Sequence, residues 1–414
     1  MPDNTHQPRA VPRDHRRAAR ALAAAAAAVA ALLAVAACSS SPSTTTSSAK
    51  TATSSGVRHA QAAVSAAEAP LKSYPVPSKP LADVSSLRGK TIYYIPITEQ
   101  SPQFAITATA LKQALSAAGL HMQECNGNSN PASISACFNQ AIGASAGGII
   151  TDSIPYVLAA NAFSAALAKH IPVLITDQVP DPAHPAGNGL AYLEGAGPEQ
   201  LLAVANWIIA DSGGKAKVLI DESTDSPSTI SYVAGAQKEF KTYCPGCTVT
   251  INKISSANFA LIPSSTSSAL LRTPKVDYVV SEFDQYLEPI LGGVQQSGKA
   301  ASVRGVSAAA TLSGLQMLAK KSFLYADVGQ ASAYQGWASA DSIMRMMLHQ
   351  PVQINTIPIR IFTRPSHHGL PSVRRGGRPA ESGNLPNTMD SRPCARGRAA
   401  LFIGSCCLDG WFAL

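Results

Sequence analysis

The chain is predicted to be an α/β protein with two doubly wound parallel-sheet lobes. Three observations predict this. Between residues 89 and 180, short apolar runs alternate with helical patterns. Each apolar run ends in a short polar break. The same series recurs in the second half. Such alternation implies parallel strands joined by right-handed crossovers.

In the first series, residues 90–97 (KTIYYIPI) read as a strand, 101–118 as a helix, 121–124 as a strand and 131–142 as a helix. Residues 148–153 (GIITDS) are a third strand, 156–170 a helix, and 171–177 (IPVLITD) a fourth strand. Residues 190–193 close the first lobe. The second series runs helix 198–211, strand 216–220, helix 228–240, strand 248–254, helix 262–271, strand 276–280, helix 286–297 and strand 301–306. It continues with helix 315–321, strand 323–328, the long amphipathic helix 332–348 and a final strand 352–362. In open α/β sheets, ligands bind outside the carboxyl ends of the strands. The polar residues just after each strand are therefore the ones to watch.

With 414 residues, 46% of them hydrophobic, the chain can build two or three domains with real cores. Its net charge of +8 does not mark a nucleic-acid surface. Five arginines against two aspartates lie in residues 1–37, and seven arginines against three acids lie from Arg364 onward. The body between them is near neutral, which argues against a nucleic-acid partner.

Arg16–Arg20 precede an Ala-rich apolar run that ends Val35-Ala36-Ala37-Cys38. A basic region, a short apolar region and small residues at the cut are the parts of a secretory signal. The Cys after Val-Ala-Ala resembles a bacterial lipobox, which implies a signal peptide of residues 1–37 and lipidation at Cys38. Residues 39–55 are Ser/Thr-rich and cannot bury enough surface to offset their chain entropy. They are expected to be a flexible tether within a linking segment of residues 38–87, with a short helix at 60–69.

Outside the cytoplasm, the pairs Cys125/Cys137 and Cys244/Cys247 are expected to be disulfides. A redox role for Cys244-Pro-Gly-Cys247 would want the first Cys at a helix N-terminus, but here it follows a helix. Cys394, Cys406 and Cys407 form an odd set in the tail, and His367-His368 lacks the spacing of a zinc site. Gly143-Ala-Ser-Ala-Gly147 matches the nucleophile-elbow pattern but lies between a helix and a strand, in reversed order, so Ser145 is expected in a helix C-cap turn. Gly195-Ala-Gly197 lacks the third glycine of a dinucleotide loop. No catalytic set and no cofactor are expected.

A lipobox, a tether and two doubly wound lobes resemble the type I periplasmic-binding-protein family, and most closely its ribose-type branch, the sugar-binding lipoproteins of ABC importers. The residues that carry the likeness are IPITEQSPQF, GGIITDS, IPVLITDQ and Val328-Gly329-Gln330 before Tyr334-Gln335-Gly336. The resemblance covers about residues 88–363. It implies an N-terminal lobe (88–194 plus 331–352) and a C-terminal lobe (195–330 plus 353–363), joined by a three-strand hinge near Glu194, Gln330 and Thr356. It also implies ligand contacts at Phe104, Asp152, Asp177 and Gln330, with Gln178, Tyr232, Phe283 and Asp284 at neighbouring positions. An Asp at a strand end equally suits a turn or a helix N-cap.

Several positions depart from the sugar binders. Gln178 stands where those proteins commonly have Arg, the stretch around Ser228 and Tyr232 lacks their second Arg, Phe283 replaces an Asn, and Ser307 stands where an Asp is usual after a strand. These changes remove bidentate, charge-assisted hydrogen bonds. Residues 364–414 change abruptly to Arg, Gly, Pro and Ser, the composition of a disordered extension or of a shifted reading frame.

The resemblance implies a monomeric, extracytoplasmic binding component that is held to the membrane only by lipid. It would capture a small polar ligand and pass it to an ABC permease. A lipoprotein that presents ligand state to a membrane receptor is the alternative.

Overall fold

The computed structural model describes residues 44–354 and 356–364. The first 43 residues and the tail beyond Arg364 fall outside it, so the signal, Cys38 and the tail cysteines lie outside the described residues. No described helix is long and apolar enough to cross a membrane.

A first helix, α1 (Thr44–Glu68), precedes the sheets. Lobe one holds β1 (Thr91–Pro96), α2 (Pro102–Ala117), β2 (His121–Glu124), α3 (Pro131–Gly143), β3 (Gly148–Asp152), α4 (Ala160–Ala168), β4 (Val173–Thr176) and β5 (Leu190–Leu193). Its five strands are all parallel, in the order β2-β1-β3-β4-β5. Every residue of β3 and β4 is buried. This is why they read as continuous apolar runs: both faces of a parallel sheet are covered by helices.

Lobe two holds α5 (Gly197–Asp211), β6 (Lys217–Ser223), α6 (Pro227–Tyr243), β7 (Thr248–Ile254), α7 (Ile262–Arg272), β8 (Tyr278–Ser281), α8 (Leu287–Gln296), β9 (Arg304–Ala309), α9 (Leu312–Ala319) and β10 (Leu324–Gln330). The chain then returns to lobe one as α10 (Ser332–Met347), which packs against α2. Gly336 allows this close approach, because a Cβ there would lie 2.5 Å from the Thr107 carbonyl. The chain finishes in lobe two as β11 (Ile359–Thr363), antiparallel to β10. The second sheet has the order β11-β10-β9-β8-β6-β7. The chain therefore passes between the sheets after β5, after β10 and after α10.

The structure departs from the sequence reading in four places. The final strand is Ile359–Thr363 and not residues 352–362. Pro358 has no N–H to give a ladder, and its carbonyl accepts from Ala331 at the crossing, 2.9 Å away. The strand expected at 301–306 is shifted to Arg304–Ala309, which puts Ser307 inside the sheet, fully buried. The helix expected at 156–170 opens as a 3₁₀ turn, Tyr156–Ala159, and ends at Ala168. Finally, α1 occupies part of the stretch read as a flexible tether. Its buried Ala60 and Val64, flanked by Val57 and Ala67, form an i, i+3, i+7, i+10 stripe against the α5/α6 core of lobe two. Docking of that stripe provides what composition alone did not suggest.

The two cysteine pairs are bonded, with Cα separations of 5.8 Å (Cys125–Cys137) and 5.3 Å (Cys244–Cys247). Ser145 has φ 52° and forms the left-handed turn that closes α3. Its N–H donates to Ile142, and the next N–H donates to Ala141 (3.1 and 2.9 Å).

Candidate ligand-binding site

The strand ends of lobe one meet the hinge at Asp177. This residue directly follows β4 and takes a left-handed conformation, φ 55°. The turn presents its carboxylate to the crossing segments. Oδ2 accepts from Gln335 Nε2 of α10 at 2.9 Å. The amide oxygen of Gln335 accepts from Gln330 Nε2, also at 2.9 Å. A Cβ at Gly195 would overlap the Asp177 carboxylate, and Gly195 itself has φ 77°. One at Gly197 would overlap the Tyr232 ring. The two glycines of Gly195-Ala-Gly197 thus serve close packing at the first crossing.

Asp152, the last residue of β3, is fully buried beside Asp177. Tyr94 Oη of β1 donates to its Oδ2 at 2.6 Å. Burial, and then the charge and hydrogen bond of Asp177, push the Asp152 carboxyl well above its usual range. Asp177 is also raised by burial, but hydrogen bonds from Asp152, Gln335 and Gln330 oppose that rise. Asp152 is therefore the more readily protonated member of the pair.

Lobe two reaches the same point from the other side. Ser228 Oγ, in the first turn of α6, donates to Gln178 Oε1 at 2.8 Å, and Gln178 Nε2 donates to the Asp177 carbonyl at 2.8 Å. Tyr232 Oη donates to that same carbonyl at 3.3 Å. The structure thus brings Asp152, Asp177, Gln178, Tyr232 and Gln330 into one network across the lobes. Phe104 opens α2, is 4% exposed and belongs to none of the four apolar cores among the described residues.

Phe283 and Asp284 stand apart. Phe283 is half-buried against both apolar cores of lobe two. Asp284 accepts from the Thr311 amide and hydroxyl at 2.6 and 2.7 Å. It faces Asp327, whose Oδ1 accepts from Ala310 N at 3.1 Å, and Gly314 leaves room for both carboxyls. Burial raises both acids, and the Asp284 charge raises Asp327 further. Both carboxyls are thus held above their usual range side by side.

A raised native pKa means that the folded state holds a proton which the unfolded chain releases near pH ~3.9. Stability supplied by this pair is full below that value and is lost as pH rises through the folded pKa. Asp327→Asn removes the proton requirement. Urea denaturation should show the variant more stable than wild type at pH 8, with the difference vanishing at pH 4. A variant less stable at both pH values would contradict the raised pair.

Residues that the sequence did not single out complete the strand-end surface. Asp225 accepts from Tyr286 Oη (2.7 Å), Ser255 Oγ (2.8 Å) and Ser256 N (3.0 Å). Burial would raise its pKa, but these bonds outweigh it and hold the carboxyl low. Glu282, fully buried just after β8, accepts from Ser223 N at 2.6 Å, and burial pushes it well up. Their position after β6 and β8 was the available signal. Among the described residues, no group of three or more His, Cys, Asp or Glu is arranged to hold a metal ion.

Residues 92–351 match a periplasmic binding protein domain, and the chain belongs to that family. No curated protein matches the chain. Among solved structures, it is similar to an ABC transporter solute-binding protein from Agrobacterium vitis bound to alpha-D-tagatopyranose. The two share 19% identity at a TM-score of 0.57, over 65% of this chain and 94% of the other. A glucose-galactose binding protein from Geobacillus stearothermophilus aligns at 14% identity and a TM-score of 0.59, over 67% and 98%. A solute-binding protein from Bacillus halodurans C-125 with bound myo-inositol aligns at 15% and 0.57, over 66% and 95%. These likenesses establish the fold: two parallel-sheet lobes of the type I periplasmic-binding kind.

Proposed function

We propose that the chain is the extracytoplasmic solute-binding component of an ABC importer. It captures a neutral, sugar-like polyol between its lobes, performs no chemistry, and delivers the ligand to a membrane permease as a monomer. The observation that carries this reading is the Asp177 network: a carboxylate acceptor set at the hinge and held by Gln335 of α10, with lobe two reaching its backbone carbonyl through Tyr232 and its neighbour Gln178 through Ser228. Asp177 and Gln330 would take ligand hydroxyls, Asp152 and Gln178 would hold Asp177 in place, and Phe104 would lie against an apolar ligand face. Phe283 would lie at the margin of the site. Asp284 acts within lobe two. The sugars and cyclitol bound by similar proteins point to the same ligand class.

Among the described residues, no arginine takes part in the Asp177 network. An acceptor site without a cation favours hydroxyl donors and repels anions. A thermal-shift screen tests this, because a ligand that binds only the folded state raises its melting temperature. Neutral hexoses, pentoses or cyclitols should stabilise the protein. Sugar phosphates and uronic acids should not, and stabilisation by those anions alone would overturn the reading.

The sequence before Cys38 and the two disulfides suit a lipid-anchored protein on the outer face of the cell membrane. Mass spectrometry of the mature N-terminus should find Cys38 acylated. An unmodified N-terminus would refute the anchor.

A further inference from the structure

Residues 57–82 hold both lobes, at two separate places. On lobe two, Ala60 and Val64 of α1 are buried in the α5/α6 core, with Val57 and Ala67 packed at its margin. The His59 ring stacks on Tyr243 at the end of α6, with centroids 3.7 Å apart and 8° between planes. Its Nε2 lies 3.2 Å from Glu239 Oε1. Gly56 lets the helix sit this close, since a Cβ there would overlap the Tyr243 carbonyl. At the end of α1, Glu68 Oε1 accepts from Thr363 Oγ1 of β11 at 3.3 Å.

On lobe one, the contacts are different and just as numerous in kind. Tyr74 stacks on Tyr334 of α10 (5.1 Å, 14°), and Tyr334 Oη donates to the Pro75 carbonyl at 2.7 Å. The Lys79 carbonyl accepts from Arg345 Nη2 at 2.8 Å. Lys79 N and Ser78 Oγ donate to Gln353 Oε1 at 3.1 and 3.2 Å, on the segment after α10 whose Ile354 and Ile357 pack in the lobe-one core and not in lobe two as expected. Gln350 Nε2 donates to the Ala82 carbonyl at 3.3 Å. Tyr74 and Leu81 pack on the lobe-one core. Between the two anchors, residues 69–73 are all exposed.

We propose that residues 57–82 form a strap that limits how far the lobes separate. The three hinge crossings let the lobes move, whereas the strap adds a fourth covalent path fixed at both ends. The six residue steps from Glu68 to Tyr74 reach at most about 20 Å, and Pro70 fixes one backbone angle within them. Any opening that needs more reach must first release the α1 face from lobe two or Tyr74 from lobe one. The strap therefore sets the unliganded opening and holds the lobes near the arrangement in which Ser228 and Tyr232 reach Gln178 and Asp177.

The test uses the full chain with spin labels on non-canonical residues at two exposed positions, Lys112 on α2 and Gln295 on α8. A Gly/Ser insert of about 20 residues, with an r.m.s. reach of roughly 25 Å, is placed between Lys72 and Ser73. Both anchors stay intact. A second form carries a protease site at the same place and is cut after folding. In both, the unliganded inter-lobe distance distribution should broaden and shift to longer distances, while the melting temperature stays within a few degrees of wild type. Distributions superimposable on wild type in either folded form would overturn the strap.

Discussion

Asp341→Ala lowers the unfolding free energy by about 3–5 kcal/mol, the cost of leaving a buried charge without its partner. Arg345 on α10 is 1% exposed and Asp341 is 4% exposed, one helical turn apart. The guanidinium binds the carboxylate in two-pronged fashion, Nε to Oδ2 at 2.7 Å and Nη2 to Oδ1 at 3.1 Å. Nη2 also donates to the Lys79 carbonyl. The alanine strands a desolvated cation between α10 and the strap, where no other carboxylate among the described residues is bonded to it. Urea denaturation measures the loss. The double variant Asp341→Ala/Arg345→Met removes the stranded charge and should recover most of it. A single-variant loss below about 1 kcal/mol would show the pair to be solvated and the packing of the strap on α10 to be loose.

The second large effect falls on binding. Asp177→Ala should weaken capture of the stabilising polyol by at least about 100-fold, because a hydrogen bond to a charged group contributes roughly 1.5–3 kcal/mol and the carboxylate can supply two. Asp152→Asn is the contrasting variant. Since burial and the neighbouring Asp177 both favour the protonated form of Asp152, an amide should replace it, and affinity should stay within a few-fold of wild type. Titration calorimetry on the two variants separates the roles. Equal losses for both would show that the pair acts as a unit and that the proton is not localised on Asp152.

Much of this architecture was legible in the sequence. β1, β3 and β4 are buried on both faces, so they spell apolar runs that no other element explains. Asp177 and Gln330 were legible as polar residues at strand ends beside chain crossings. β9 was misplaced because Ser307-Ala308-Ala309 resembles loop composition, yet it is packed between β8 and β10. The partners that make Asp177 a hinge acceptor were not legible. Gln335 and Tyr94 lie 158 and 83 positions from it in sequence and meet it, directly or through Asp152, only once α10 and β1 are in place. Asp284 looked like a strand-end ligand residue. Its pairing with Asp327, in mid-strand on β10, is a tertiary fact that no local pattern announces. The docking of α1 was hidden by the small size of its stripe, since Ala and Val among serines do not suggest a buried face.

On the proposed function, the two lobes close on a small neutral polyol at the Asp177 hinge. Small-angle scattering measured with and without each member of a panel of hexoses, pentoses and cyclitols tests it most directly. At least one member should contract the radius of gyration and raise the melting temperature together, and both responses should disappear in Asp177→Ala. A panel in which no member does either, or a ligand whose effects survive unchanged in Asp177→Ala, would contradict it.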